Sequence, residues 1–242
     1  MNSKTVQNLL DLNKKFYEKV AENFNLTRHY QWGGWTELLD IFSKLKFEPK
    51  TVLDLGCGNG RFAEALQGLP CKDYTYLGID TNTFLLSRAM EKYTTSGIRF
   101  LCADIVPSLA GKSADLIVLF GVFHHAPSYA KRLDFLKKLR RSLNTGGRIV
   151  ITVWNFTELK LFAKRLNPAQ ILNIGFDVNE LEQNDFILRW SNTQSAFRYC
   201  HFCTNAEMQS LVDEAGLKIE TMYDSDGGNG KTNTYYIIKQ KA

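Results

Sequence analysis

Residues 51–60 constrain the fold of this chain more than any other stretch. They read TVLDLGCGNG, a short apolar run followed by three glycines at alternate positions, and a helical pattern resumes at residues 61–66. An apolar run of this length bounded by glycines is typical of a buried parallel strand. Glycine permits a tight turn and the close approach of a ligand to the backbone. The stretch therefore predicts a strand, a glycine turn and a helix whose first N–H groups face a ligand.

The residues around this turn narrow the choice of ligand. A dinucleotide site requires the spacing G-x-G-x-x-G, whereas here the spacing is G-x-G-x-G and Arg61 takes the place of the last glycine. Asp54 at the strand end is unfavourable for a pyrophosphate but suits a ligand that carries positive charge. The stretch resembles motif I of the class I methyltransferases that use S-adenosylmethionine (SAM), whose sulfonium and ammonium groups are cationic.

Acidic residues also end the next two predicted strands. Asp80 closes the strand at residues 75–79, Asp104 lies in the strand at 100–105, and residues 116–120 form a fourth strand. The carboxyl ends of parallel strands meet at one edge of the sheet, where ligands bind. We expect Asp80 to accept both ribose hydroxyls and Asp104 to lie beside the adenine amino group. The residues expected to bind SAM are Asp54, Gly56, Cys57, Gly58, Asn59, Gly60, Asp80, Thr81, Asp104, Ile105 and Phe120.

Composition limits the class of protein. The 242 residues are 44% hydrophobic and 23% charged, which is enough for one domain with a full core, and the net charge of +5 permits a nucleic-acid partner without requiring one. Cys200 and Cys203 have no second pair at metal-binding spacing, so we expect no metal site. Five cysteines without a framework indicate a reducing compartment. No membrane span and no signal-peptide core is found, which predicts a cytoplasmic protein.

The pattern along the chain predicts a single α/β domain over residues 1–242. Strands alternate with helices from residue 51 to residue 154, which predicts a Rossmann-like, doubly wound sheet of seven strands with a C-terminal antiparallel hairpin. The domain is divided into four parts: an N-terminal helical lid (1–48), a SAM-binding core (49–154), an inserted substrate cap (155–203) and a final helix with its hairpin (204–242).

Several local elements carry further expectations. Residues 4–24 form an amphipathic helix, and residues 25–35 form a loop crowded with aromatic side chains. The fifth strand covers residues 148–154 and is entered through a turn at 144–147. The cap begins with a helix-like piece at 157–166.

The helix predicted at 128–143 is unusually basic. Its residues either bind RNA phosphates or form a solvated outer face, and the second interpretation is favoured because lysine-rich outer helices are common in this fold. The basic residues are Lys131, Arg132, Lys137, Lys138, Arg140 and Arg141.

Two adjacent histidines follow the fourth strand, at the place that faces the methyl group in this fold. The sequence there, FGVFHH, differs from the N-P-P-[YF] motif that cradles a planar amino group, so an oxygen, a carbon or another nitrogen is the favoured acceptor. His124 or His125 is a candidate base, since histidine titrates near neutral pH. The alternative is that each is a hydrogen-bonded structural histidine.

Segments outside the core resemble the tRNA wobble-uridine carboxymethyl methyltransferases. Residues 16–28 resemble the N-terminal signature of that family, VFHH at 122–125 its V-x-H-H, DFILRW at 185–190 its D-V-L-V-P-W, and RYCHF at 198–202 its R-Y-Y-H-x-F. The likeness spans roughly residues 16–223. The chain departs from the pattern at Arg189, which replaces a proline, at Cys200, which replaces a tyrosine, and at residues 32–35, WGGW, which replace a proline-bearing W-P.

The resemblance implies esterification of 5-carboxymethyluridine at the wobble position of a tRNA. A carboxylic acid with a pKa of about 4 is already an anion at neutral pH, so no strong base is required. A guanidinium fork matches a carboxylate, which makes Arg28 and Arg198 the expected holders. These two arginines and the two histidines are the catalytic candidates. The residues expected to bind substrate are Tyr17, Arg28, Trp32, Tyr199 and His201.

Other functions remain open at this stage. A small-molecule O-, N- or C-methyltransferase would share the same core, and a SAM-binding module without catalysis would keep the same carboxylates. A closed apolar cap favours the small molecule, and an open basic cleft favours tRNA. Members of the resembled family often need a small zinc-binding activator subunit, which the sequence neither requires nor excludes.

Overall fold

Apolar strands flanked by amphipathic helices build the centre of this protein. The computed structural model describes residues 1–27, 30–69, 73–94, 96–158, 164–190 and 196–241. The helices are α1 (Ser3–Leu26), α2 (Gly33–Lys44), α3 (Arg61–Ala65), α4 (Thr83–Lys92), α5 (Ile105–Ser108), α6 (Tyr129–Arg141), α7 (Pro168–Asn173) and α8 (Asn205–Glu214). The strands are β1 (Thr51–Leu55), β2 (Thr75–Asp80), β3 (Ile98–Cys102), β4 (Ala114–Leu119), β5 (Leu143–Trp154), β6 (Asp185–Arg189), β7 (Phe197–His201), β8 (Leu217–Ser225) and β9 (Asn233–Gln240).

Seven of these strands form one sheet in the order β3-β2-β1-β4-β5-β9-β8. The first five are parallel, β9 runs antiparallel to β5, and β8 runs antiparallel to β9. Leu116, Ile117, Val118 and Leu119 of β4 are fully buried because helices cover both faces of the sheet. The predicted seven-stranded, Rossmann-like sheet with a C-terminal hairpin is therefore confirmed.

The predicted loop at residues 25–35 is wrong in extent. Helix α1 continues to Leu26 and α2 begins at Gly33, so only a short link remains between them. Trp35, Leu38 and Phe42 are buried at helical spacing. The apolar face that they form belongs to α2, so this helix includes Gly33 and Gly34 of the predicted loop.

Two strand boundaries also differ from prediction. β5 begins at Leu143 and includes the predicted turn at residues 144–147. Its pairing with β4 shifts register in this region, and such a bulge accommodates Gly146 with its φ of +78° within the strand. β3 ends at Cys102, and Ile105 already belongs to α5.

The segment predicted as a cap contains α7 and a separate antiparallel pair, β6 and β7. Helix α1 packs on this pair through Leu9, which clusters with Ile187 and Tyr199. Phe156–Glu158 form a single 3-10 turn, and residues 159–163 of the predicted helix at 157–166 lie outside the described residues.

One residue of the basic helix contradicts the outer-face interpretation. Arg132 is only 1% exposed, and its guanidinium lies 2.9 Å from Glu182 and 2.8 Å from Glu207. His201 joins the same cluster, with its ring nitrogens 2.7 Å from Asp185 and 2.7 Å from Glu207. The cluster links α6 and α8 to the β6–β7 pair, because Glu207 of α8 accepts from Arg132 of α6 and also bonds to His201 of β7.

Replacing Arg132 is expected to destabilise the fold strongly. Arg132→Met leaves Glu182 and Glu207 without their cation, and a broken buried ion pair typically costs about 3–5 kcal/mol. Urea unfolding would measure this loss. Lys137→Met, on the exposed face of the same helix, is the matched control and is expected to change stability by less than about 0.5 kcal/mol. Equal stability of the two variants would contradict a structural role for the cluster.

The same cluster predicts a pH dependence of stability. Burial alone would lower the pKa of His201, but hydrogen bonds from its ring to Asp185 and Glu207 raise that pKa above its ordinary value. Stabilisation by a raised pKa is complete below the unfolded value of about 6.5 and is lost as pH rises through the folded value. The free energy of unfolding should therefore fall more steeply in the wild type than in His201→Gln as pH rises above about 6.5. Parallel slopes in the two proteins would refute this expectation.

Candidate functional site

Two adjoining cavities lie at the carboxyl edge of the parallel strands. Cavity A has a volume of about 640 Å³ and cavity B of about 870 Å³. Residues that line both are Tyr17, Phe24, Gly56, Gly58, Phe120 and Gly121. Other predicted site residues line only one of the two cavities. Those that line cavity A are Asp80, Thr81, Asp104, Ile105 and His125. Those that line cavity B are Trp32, Asp54, Cys57, Asn59, His124 and Arg198.

The glycine turn after β1 keeps backbone exposed between the two cavities. Gly56 and Gly58 have φ angles of +78° and +54°, which favour glycine. A Cβ atom on Gly58 would meet nothing closer than 3.9 Å, so that position opens into space, whereas one on Gly56 would lie 2.3 Å from a methyl carbon of Val122. The turn therefore forms a cradle that a side chain would fill or distort.

The carboxylate of Asp80 is fixed beside this cradle. Its two oxygens accept backbone N–H groups from Gly58 and Asn82, each at 2.8 Å. Burial raises the pKa of Asp80 even though these bonds act against the shift. A carboxylate has about four acceptor positions. Asp80 lines cavity A and thus keeps acceptor capacity for a ligand there.

Asp54 lies deeper than its place at a strand end suggests. Its side chain is 2% exposed and accepts a hydrogen bond of 2.5 Å from the hydroxyl of Tyr76. Burial raises the pKa of Asp54 to about 7, with the Tyr76 hydrogen bond opposing the shift. The group is therefore readily neutral when nothing cationic is near it.

Two asparagines were missed by the sequence reasoning. Asn82 donates to the backbone carbonyl of Tyr17 at 3.0 Å and accepts from the N–H of Leu85, which caps α4. Asn13, on α1, accepts from the backbone N–H of Tyr199 and donates to its carbonyl. An asparagine directly before a helix is a recognisable cap, so Asn82 had a local signal, whereas Asn13 in mid-helix had none.

His125 is fully engaged by its neighbours. Its Nδ1 lies 2.8 Å from the carbonyl oxygen of Tyr199, and its Nε2 lies 2.7 Å from the hydroxyl of Tyr17. Burial, reinforced by the positive charge of Arg198, lowers the pKa of His125 to about 3. His125 is therefore neutral at physiological pH, with both ring nitrogens occupied.

His124 differs from its neighbour. The side chain is buried, its Nδ1 has no hydrogen-bond partner within the described part of the chain, and it belongs to the wall of cavity B. Burial lowers its pKa well below the ordinary value, and His125 and Arg198 add to the effect. A buried nitrogen without a partner is costly, so a hydrogen-bonding ligand in cavity B would satisfy it.

Arg198 presents a guanidinium to cavity B from within a set of aromatic rings. Its central carbon lies 4.6 Å from the ring centroid of Trp154, 5.3 Å from that of Phe16 and 5.6 Å from that of Trp190. Within the described ranges, no carboxylate forms an ion pair with it. A cation held by rings but not by an anion is suited to bind an anionic ligand.

Three other predicted residues border cavity B. Trp32 stacks on Trp35 with centroids 5.4 Å apart, and Arg61 lies over both rings. Asn59 donates to the side-chain oxygen of Asn25 at 2.9 Å, which ties the glycine turn to α1. Cys57 is buried, and burial raises its pKa well above the ordinary value.

The structure does not bring every predicted residue to a cavity. Tyr199 is fully buried with its hydroxyl 2.6 Å from Asp185, and His201 lies between Asp185 and Glu207, so both belong to the Arg132 cluster and not to a substrate surface. Gly60 begins α3 behind the cavities, where a Cβ would crowd Ala89. Arg28 lies outside the described residues.

Comparison with known proteins gives a consistent assignment. The family described as a methyltransferase domain matches residues 26–222. The mouse tRNA (carboxymethyluridine(34)-5-O)-methyltransferase ALKBH8 is 28% identical over 138 residues, which cover 57% of this chain and 19% of that protein. The tRNA U34 carboxymethyltransferase of Campylobacter hominis is 31% identical over 151 residues, 60% of this chain and 51% of that protein. The chain thus spans about a fifth of the one relative and about half of the other.

A relative that is named for a different activity aligns with more of this chain. The carboxy-S-adenosyl-L-methionine synthase of Helicobacter pylori is 28% identical over 184 residues, 70% of this chain and 76% of that protein. Among solved structures, a SAM-dependent methyltransferase from Clostridium acetobutylicum superposes with a TM-score of 0.65 at 16% identity, covering 95% of this chain and 98% of that one.

The fold, the site and the family agree. Within the described ranges, no helix has both the length and the apolar character needed to cross a membrane. The match to the methyltransferase domain covers most of the chain, and the sheet order and glycine turn are those of that fold. The chain belongs to the methyltransferase domain family and is a SAM-dependent methyltransferase.

Proposed function

We propose that this enzyme transfers the methyl group of SAM to the carboxylate of 5-carboxymethyluridine at position 34 of a tRNA. The observation that carries the proposal is Arg198, a guanidinium in the wall of cavity B that is surrounded by rings and has no ion-pair partner in the described part of the chain. Such a group is suited to a planar anion, because its fork of N–H donors matches two carboxylate oxygens.

The two cavities fit the two reactants by charge. Asp80 and Asp104 in cavity A would hold the adenosine part of SAM, with Asp80 accepting the ribose hydroxyls. The open backbone of Gly56 and Gly58 would lie under the methionine part, and Asp54 in the adjoining wall suits its cationic groups. Bound SAM supplies an electrophilic methyl group on a sulfonium. The acceptor would occupy cavity B beside Arg198.

A carboxylate acceptor also agrees with the state of the histidines. The acceptor oxygen forms a bond to the methyl carbon as the carbon–sulfur bond breaks, and an anion and a cation become a neutral ester and a neutral thioether. No proton moves, so no base is needed. His125 offers none, since both its ring nitrogens are hydrogen-bonded. The enzyme then contributes mainly alignment, worth about 7–11 kcal/mol when it is good.

The relatives support the substrate class and suggest a second candidate. The mouse relative is named for methylation of carboxymethyluridine 34 of tRNA, which is the proposed reaction. Two other relatives are named for carboxymethyl transfer to U34 of tRNA and for synthesis of carboxy-SAM. Arg198 would equally suit a carboxylate carried by the cofactor, so transfer of a carboxymethyl group is the alternative.

The cofactor site is tested first by calorimetry with SAM alone. Asp80→Asn removes the charge that accepts the ribose hydroxyls and should weaken SAM binding about tenfold or more, since hydrogen bonds to charged groups contribute about 1.5–3 kcal/mol. Asp73→Asn, at an exposed carboxylate before β2, is the matched control and should keep the wild-type affinity. Equal affinities in the two variants would remove Asp80 from the site.

The acceptor is tested with tRNA that carries 5-carboxymethyluridine, with mass spectrometry of the digested nucleosides. We expect a gain of one methylene unit at that nucleoside, with and without an added zinc-binding activator subunit as separate arms. At saturating SAM, the rate should not fall between pH 8 and pH 6, because a carboxylate with a pKa of about 4 stays ionised over this range. Neither histidine pKa lies in the range either. Absence of the ester in both arms would overturn the tRNA assignment.

The role of Arg198 is tested in the same assay. Arg198→Lys keeps the charge but loses the fork and should lower kcat/KM for the acceptor about tenfold or more. Arg189→Lys is the matched control, because Arg189 lies on the neighbouring strand and reaches neither cavity.

A carboxymethyl adduct on an unmodified or hydroxylated uridine, obtained with carboxy-SAM, would favour the alternative function.

A further inference from the structure

We propose that Asp226 is a positioning residue for the acceptor. From the loop after β8 it fixes the first turn of α2, and it thereby holds the indole of Trp32 in the wall of cavity B. The proposal rests on the proposed function in assigning cavity B to the acceptor. Asp226 lines the same cavity but reaches the acceptor only through the helix that it fixes.

The start of α2 has no cap of its own. Trp32 occupies the N-cap position, and its indole accepts no hydrogen bond from the helix, because an indole N–H can only donate. The next two residues are Gly33 and Gly34, which leave the backbone more conformational freedom than other residues would. A helix that begins in this way needs an acceptor from elsewhere in the chain for its first N–H groups.

Asp226 supplies this acceptor from 192 residues away in the chain. Its Oδ1 accepts from the backbone N–H of Gly34 at 2.9 Å. Its Oδ2 accepts from the side-chain amide of Asn233 at 2.8 Å and from the hydroxyl of Tyr235 at 2.7 Å, and both donors belong to β9. The carboxylate therefore ties the first turn of α2 to the C-terminal hairpin, and its negative charge suits a helix N-terminus.

The packing around Gly34 explains why a glycine stands at this place. A Cβ atom there would lie 2.3 Å from the ring of Tyr235, and the hydroxyl of Tyr223 donates to the carbonyl of Gly34 at 2.8 Å. Asp226 has a φ of +68°, a left-handed conformation that aspartate and asparagine adopt more readily than most residues. The close approach requires the glycine, and the bond from Asp226 offsets the freedom that the glycine brings.

Trp32 connects this first turn to cavity B. Its carbonyl accepts the N–H of Trp35 at 3.1 Å, and the two rings stack with their planes 19° apart. The indole also meets Phe120 at 68°, and a Cβ atom on Gly121 would lie 3.6 Å from it. Phe120 and Gly121 line both cavities. A flat ring beside this junction is suited to stack on a nucleobase, so loss of the Asp226 cap should weaken acceptor binding.

The variant that tests the cap is Asp226→Asn. Asparagine keeps the shape of the side chain and tolerates the left-handed conformation, but one oxygen becomes an amide nitrogen, which faces at least one donor whichever way the amide turns. Asp224→Asn is the matched control. Asp224 also bonds to β9, through the hydroxyl of Thr234, but it lines neither cavity.

The first test needs no acceptor. Hydrogen–deuterium exchange with mass spectrometry would follow the peptide that contains the first turn of α2. We expect its amides to exchange about fivefold faster or more in Asp226→Asn, and at the wild-type rate in Asp224→Asn, because only the first variant releases the N–H of Gly34. Equal exchange in the wild type and both variants would overturn the proposal, whatever the acceptor proves to be.

The second test separates positioning from a general loss of stability. In the tRNA assay, Asp226→Asn should raise KM for the acceptor about tenfold and leave kcat and the SAM dissociation constant close to the wild-type values. A purely structural role would lower the thermal stability and leave the constants of the folded enzyme unchanged. An unchanged KM, or a loss that appears in SAM binding instead, would overturn the proposal.

The third test is a rescue at Gly33, the first helical residue of α2. Proline is favoured at this position because its ring fixes φ and the missing N–H has no acceptor within the helix. Trp32 before it is extended, with φ −74° and ψ 135°, as a proline requires, and a Cβ atom on Gly33 would meet nothing closer than 3.9 Å. Gly33→Pro should therefore restore most of the acceptor KM when it is combined with Asp226→Asn.

The rescue distinguishes the cap from a direct contact. If Asp226 touched the acceptor itself, a proline in α2 could not replace it, so a KM that stays raised in the double variant would overturn the positioning role. If the wild-type enzyme methylates no tRNA, the proposed function fails, whereas the exchange experiment still confirms or overturns the hold of Asp226 on α2.

Discussion

Hydrogen bonds between α1 and the loops at the carboxyl edge of the sheet are the interaction on which the site depends. Asn13 bonds to β7, the hydroxyl of Tyr17 to the turn after β4, the carbonyl of Tyr17 to Asn82 after β2, and Asn25 to Asn59 after β1. A shift of α1 would leave several of these buried polar groups without partners, each at a cost of about 1–3 kcal/mol. The helix is therefore held in one position, and both cavities take their shape from it.

This arrangement places charges of both signs around the site. Tyr17 lines both cavities, with the carboxylates of Asp80 and Asp104 on the side of cavity A and the guanidinium of Arg198 on the side of cavity B. A cationic cofactor and an anionic acceptor would thus each meet the opposite charge. In the proposed reaction, transfer of the methyl group would neutralise both reactants, so a site that excludes water would favour the reaction over the separated ions. The proposed chemistry needs no proton acceptor, and both ring nitrogens of His125 are already hydrogen-bonded.

Local patterns determined which parts could be predicted. Strand β1, its glycine turn and Asp80 followed from spacing within about 30 residues, because a turn and a strand end are local features. Arg132 could not be placed, since its partners Glu182 and Glu207 are 50 and 75 residues away. Tyr199 and His201 were misplaced for a different reason. Their residue types suit a substrate surface, but the pairing of β6 with β7 and the start of α8 bring Asp185 and Glu207 against them in the interior.

The burial of Asp54 shows how a charge-binding residue is tolerated inside this fold. A fixed negative charge at the end of β1 would cost several kcal/mol in the absence of a partner. Burial raises its pKa to about 7, which favours the neutral form in the absence of a cationic ligand, and the Tyr76 hydroxyl donates a hydrogen bond to the carboxyl. A cationic group beside the glycine turn would favour the ionised form and lower this pKa. The same carboxyl is therefore tolerated in the core when neutral and, in the proposed site, would attract the cationic part of SAM when charged.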